Sequence, residues 1–258
     1  MDNTDVKVYK KNFITNAIFK VNFPKIDLNE NPPEDLKKKI STKFPNFNLK
    51  KKANVDVRVK NGKTITTNFN EIISWEFMTE PSKEKVNRFI IHPNYFSLEY
   101  ENYSNFKSFN KDIKLVFDVF NEFFPIETVK RVGLRYINQI ILDSGKPLEW
   151  DKLLHPSLFS IYNGFLSDSD DILRSMHVLE LEDNDYFLRF QFGSYNSEYP
   201  NPIARKEFVL DYDCFLNEDR TPYEIFKIAE DSNKIIYKWF EKSIKEGLRD
   251  IMGMIKDE

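Results

Sequence analysis

The chain has 258 residues, a hydrophobic share of 41%, an aromatic share of 15%, and 24 Phe against 7 Gly. That is enough apolar bulk for a sizeable core, and it excludes global disorder. Lys and Arg number 38 against 41 Asp and Glu, a formal net charge of −3, so no long-range field steers the chain toward nucleic acid or membranes and any charged site must be local.

The opening Met-Asp-Asn-Thr-Asp-Val-Lys has no apolar run after its charges, and no later stretch is long and apolar enough for a membrane span. The expectation is a cytoplasmic protein with no membrane partner. A single cysteine, Cys214, excludes an internal disulfide and a cysteine-based zinc cluster. Between Asp213 and Phe215 it reads as a buried, inert thiol.

Alternating and β-branched runs predict strands at 14–23, 54–60, 72–79, 86–92, 95–101, 128–142, 172–183, 186–193 and 206–213. Pro32 and Pro33 followed by Glu34 and Asp35 start a helix over 33–44. A second helix over 107–123 carries Ile113, Val116, Phe117, Phe120 and Phe124 on one stripe and stops at Pro125. The longest helix is predicted over 222–250, with Thr221 as cap, Pro222 in its first position and Glu224 three residues after the cap. Its apolar set includes Ile225, Ile228, Ile236, Trp239 and Ile244, and Gly247 and Gly253 mark its end.

Residues i and i+2 of a strand share a face. Val55, Val57 and Val59 oppose Asp56, Arg58 and Lys60; Val132, Leu134 and Tyr136 oppose Arg131, Gly133 and Arg135; Leu188, Phe190 and Phe192 oppose Arg189, Gln191 and Gly193. The pattern predicts an α+β fold: a curved, mostly antiparallel sheet, covered on one face by two long helices and wet on the other. The order strand, helix, strands, long helix repeats from about residue 128 with a shorter insert before its strands, which suggests a duplicated helix-grip or saddle unit (about 1–125 and 126–258) within one domain spanning 1–258.

Arg131 and Arg135 share a strand face with only Gly133 between them. Two guanidinium forks above bare backbone suit a phosphate, a carboxylate or an acidic side chain of a partner, and equally suit pairing with Glu99, Glu101 or Glu180. Asn138, Arg189 and Gln191 extend this polar set. The segment Arg131 to Asn138, Arg-x-Gly-Leu-Arg-Tyr-Ile-Asn, is similar to the signature of an uncharacterised, sporadically distributed prokaryotic protein family. Phe23-Pro24, Trp75 to Phe77, an aromatic strand before a helix, and Leu210 to Asp213 resemble that family's layout. The resemblance implies no established reaction, and a sporadic distribution points to mobile-element or defence contexts.

His92 and His155 each precede a proline and read as loop-closing rings, while His177 and Glu180 fall on opposite strand faces. Asp211 and Asp213 share a face and offer a carboxylate pair for a divalent metal or for acid–base work in a hydrolase or nuclease, against the plainer reading of solvated strand carboxylates. Gly133, Gly145 and Gly193 are isolated, so no phosphate loop forms. Residues 37–52 hold seven lysines; of these Lys37, Lys38, Lys39, Lys50, Lys51 and Lys52, with Phe44 and Phe47 interleaved, make a basic patch suited to nucleic acid. The sequence favours a non-enzymatic binding or assembly protein with a protein partner, no cofactor, no metal and scope for homo-oligomers. A nucleic-acid accessory protein is the next reading, and a metal-dependent hydrolase using Asp211 and Asp213 the third.

Overall fold

Runs of period two, broken at turn residues, become an antiparallel sheet. The structure is a computed structural model that describes residues 8–60, 63–80, 84–162, 171–183 and 185–255. Its strands are β1 (Val8–Tyr9), β2 (Ile14–Asn22), β3 (Asn46–Lys60), β4 (Lys63–Met78), β5 (Arg88–His92), β6 (Tyr95–Tyr100), β7 (Arg131–Leu142), β8 (Ser175–Asp183), β9 (Tyr186–Ser194), β10 (Lys206–Leu216) and β11 (Met254–Ile255). The helices are α1 (Glu34–Ser41), α2 (Phe106–Phe123), α3 (Ile225–Ser243) and α4 (Glu246–Met252). Nine strands follow the order β3-β4-β5-β6-β2-β7-β10-β9-β8, and β1 pairs with β11. The fold class is α+β, as the alternation predicts.

The strand order obeys one rule twice. β2 neighbours β6, the last strand of its run, and β5, β4 and β3 follow outward; β7 neighbours β10, the last of its run, and β9 and β8 follow outward. The chain divides into two compact units, the first made of residues 1–17, 133–216 and 228–258, the second of 18–132 and 217–227.

In the second unit, α2 starts at Asn105, whose side chain accepts a 2.9 Å bond from Ser108 N, and buries Phe109, Ile113, Val116, Phe117 and Phe120. The abundant phenylalanines meet there: Phe23–Phe120 centroids lie 4.9 Å apart and Phe96–Phe120 5.0 Å, close enough for favourable tilted ring contacts. Asp112 sits on the same buried stripe and is tolerated because Tyr100 donates to it at 2.7 Å and Lys43 at 2.6 Å.

β3 and β4 are longer than predicted and pair from Asn46↔Met78 to Lys60↔Lys63. Their Asn-, Lys- and Thr-rich stretches lack the apolar alternation that marks strands from sequence. The alternation expected at Val55 to Lys60 concerns side chains outside the described residues.

In the first unit, the even-numbered residues Leu134, Tyr136, Leu188, Phe190, Leu210 and Tyr212 are buried. α3 lies over this face: Tyr136 donates to Asn233 at 3.0 Å and Tyr212 to Ser243 at 2.7 Å. The Thr221–Glu224 capping box forms as predicted, but the helix predicted over 222–250 is divided. A 3-10 turn occupies Pro222–Glu224, α3 follows, and α4 starts after Lys245. The division comes from the segment ending at His155, whose backbone N–H donates to Ser243 O at 2.8 Å while Leu153 O accepts from Lys245 N at 2.8 Å, contacts that take over backbone groups a continuous helix would use.

Candidate functional site

The face expected to be wet throughout is not. On β10 its residues Glu207, Val209 and Asp211 are buried, at 1%, 7% and 6% exposure, so this strand is covered on both sides. Over its first residues the cover is the loop after β9: Ser197 N donates to Glu207 at 3.1 Å, and Gln139 Nε2 donates to the same carboxylate at 2.7 Å. Asn196, in left-handed backbone at φ 61°, fixes that loop by donating to Leu173 O and Asn201 O at 2.7 Å each.

Farther along β10, Arg135 covers Asp211. Its Nε donates to Oδ1 at 2.8 Å and its Nη2 to Oδ2 at 2.6 Å, a two-pronged fork that fixes the guanidinium plane. The Asp211 side chain is 9% exposed and that of Arg135 36%, so the carboxylate is enclosed while the outer edge of the guanidinium is not. These hydrogen bonds raise the Arg135 pKa; burial opposes them, and the charges of Asp211 and Asp213 add to the rise. The guanidinium is a permanent cation. Its Nη1 makes no hydrogen bond among the described residues.

Gln191 lies opposite Asp211 in the β9–β10 register, and Arg189 opposite Asp213. On the other side of β9, Arg189 faces Glu180, with Nε 3.9 Å from the carboxylate. Arg135, Asp211, Arg189, Asp213 and Glu180, with the neutral Gln191 opposite Asp211, thus form a polar lattice in which each cation has a carboxylate beside it.

Two candidates predicted as rivals, the arginine that would hold an anion and the aspartate that would hold a metal, are each other's ligands. Asp211 is engaged on both oxygens, and no group of three or more metal-binding side chains occurs among the described residues. Arg131 shares the face of β7 with Arg135 but falls within residues 18–132 of the second unit. Asn138 lies on the other face: seven residues from Arg131, it is buried beneath the helix-covered side and donates to Leu210 O at 3.1 Å. Strand parity alone places it there. Gln139 and Glu207 were absent from the predicted set, although Gln139 has the parity of Arg135.

The lysine patch is matched by carboxylates. Lys37 pairs with Glu34 at 2.8 Å, Lys50 with Glu76 at 3.6 Å and Lys51 with Glu30 at 2.7 Å. Lys39 pairs with Glu122, and Lys38 and Lys52 are exposed. The local field is far weaker than the lysine count suggests.

Two of the histidines close turns and the third stacks on a ring of the neighbouring strand. His155 Nδ1 accepts from Ser157 N at 3.3 Å, His92 Nδ1 accepts from Asn94 N at 3.2 Å, and His177 stacks on Phe192 at 5.2 Å. Burial pushes the Cys214 thiol up to about 12, which leaves it protonated and unreactive. The shifts of Tyr100 and Tyr212 are also upward and led by burial. None of these moves a group toward neutral pH, where acid–base catalysis needs it.

No protein-family model and no curated protein matches this chain. No helix among the described residues is long and apolar enough to cross a membrane.

Proposed function

We propose that this chain is a binding or assembly protein whose first unit receives a protein segment on the sheet face around Arg135, Gln191 and Arg189. The observation that carries this reading is the Arg135–Asp211 fork, which holds a partly exposed guanidinium in a fixed plane while neutralising its charge. A donor of that kind suits a neutral acceptor, such as a backbone carbonyl, better than a phosphate, which would have to compete with Asp211 for the cation. The neighbouring Gln191 amide and the Arg189–Glu180 pair offer both donors and acceptors, which suits a chain with its own mixture of polar groups.

The test is a random-peptide library panned against the purified protein, with selected peptides re-measured by fluorescence anisotropy against an Arg135→Ala/Asp211→Ala variant and an Arg189→Ala variant. The paired substitution removes the donor without leaving a buried charge. A hydrogen bond to a charged donor contributes about 1.5–3 kcal/mol, so loss of Arg135 should weaken binding by about tenfold to a hundredfold. Peptides that bind the paired variant as tightly as the wild type, or a library that yields no binder, would overturn the proposal.

A further inference from the structure

We infer that two copies of this chain associate through the outer edge of β8, the two strands running antiparallel about His177. Among the described residues β8 ends the sheet, with β9 its one neighbour, and it pairs with β9 without a bulge from Ser175↔Ser194 to Asp183↔Tyr186. A regular edge of nine residues presents unpaired backbone donors and acceptors to any strand that reaches it, and proteins commonly blunt such edges with lysine, proline or bulges. Ser175 to Leu179 carries none of these. It carries exposed apolar side chains instead: Met176 at 37%, Val178 at 48% and Leu179 at 44%, with Leu173 just before the strand at 40%.

Charge identifies the occupant. At the start of the strand, the Arg174 guanidinium lies 4.7 Å from the Tyr195 ring centroid and 4.4 Å from that of Tyr199, and its Nε donates to Tyr195 O at 2.7 Å. The cation is therefore oriented before any partner arrives, and its Nη groups make no hydrogen bond among the described residues. At the other end stand Glu180 and Glu182, both exposed, and among the described residues Glu180 meets one cation, Arg189, at 3.9 Å. A strand that is basic at one end, apolar in the middle and acidic at the other is complementary to an antiparallel copy of itself. A parallel copy would set Arg174 against Arg174 and glutamate against glutamate.

Directly opposed residues of an antiparallel pair share a face, so the two residue numbers must have the same parity. Centred on His177, the register sets Arg174 against Glu180, Met176 against Val178 and Leu173 against Leu181. Centring on Leu179 instead would set Val178 against Glu180 and Met176 against Glu182, apolar groups against carboxylates. The His177 register meets the Arg174–Glu180 and Met176–Val178 positions together, with Leu179 falling opposite Ser175. The interface is isologous and closes as a two-fold dimer.

The experiment is sedimentation velocity over a concentration series on the wild type, Arg174→Glu, Glu180→Arg and an equimolar mixture of the two variants, with circular dichroism to verify that each exposed-site variant is folded. The wild type should dimerise with rising concentration. Each single variant opposes like charges at two symmetric positions and should raise the dimer Kd about tenfold or more. The mixture should recover the wild-type Kd, because the Arg174→Glu copy carries carboxylates at both positions and then faces the Glu180→Arg copy, which carries guanidinium groups at both. A wild type that stays monomeric throughout, single variants that dimerise like the wild type, or a mixture that fails to recover would each overturn the inference.

Discussion

Replacing Arg135 with alanine should destabilise the first unit more than replacing its partner Asp211. Arg135→Ala strands a carboxylate whose side chain is only 9% exposed, whereas Asp211→Ala leaves an arginine already 36% exposed, with a long stem that can reach water. Breaking a fully buried pair costs about 3–5 kcal/mol and an exposed one under about 1 kcal/mol. The half-enclosed geometry places Arg135→Ala at about 2–3 kcal/mol and Asp211→Ala at about 1 kcal/mol. The double variant, with no charge left to desolvate, should lie closer to Asp211→Ala than to the sum of the two. Urea unfolding followed by circular dichroism gives all three values, provided the slope against urea is unchanged between variants. Equal losses for the two single variants that add in the double variant would refute the idea that the fork is a coupled, half-buried unit.

The remaining expectations concern groups outside that fork. Cys214 should resist thiol reagents in the native protein at pH 8 and react once urea unfolds it; because its folded pKa of about 12 exceeds the unfolded value of about 8.5, its contribution to stability is complete below about pH 8.5 and is lost as pH rises toward 12. Asp112→Ala should cost about 1–3 kcal/mol, since it takes a buried acceptor from the Tyr100 hydroxyl and the Lys43 ammonium, and Tyr100→Phe should cost less in the same urea assay. Gly247→Ala would ordinarily gain about 1 kcal/mol within a helix, yet here an added Cβ would lie 2.6 Å from Lys152 O, so thermal melting should show a lower Tm instead.

Legibility in the sequence followed the range of the forces involved. Strand parity is local, and it gave the buried sets Leu188, Phe190, Phe192 and Phe208, Leu210, Tyr212 correctly. The capping box at Thr221 is equally local and formed as expected. Contacts between distant residues were not legible. Arg135 and Asp211 are 76 residues apart, and nothing in either strand names the other. Lys39 reaches Glu122 and Lys43 reaches Asp112 across 83 and 69 residues, so a cluster that is basic in sequence is balanced in space. Burial of Glu207 depends on a loop that folds back over β10, which no alternation rule anticipates. The case of Asn138 differs: its odd spacing from Arg131 already carried the signal that it belongs to the opposite face.

The most direct test of the binding account is a titration of a library-selected peptide into the isotopically labelled protein, followed residue by residue through backbone amide shifts. The account predicts that the largest changes fall on Arg135, Arg189, Gln191 and their strand neighbours. Changes centred on α1 and the lysines of residues 37–52, with β7, β9 and β10 undisturbed, would contradict it.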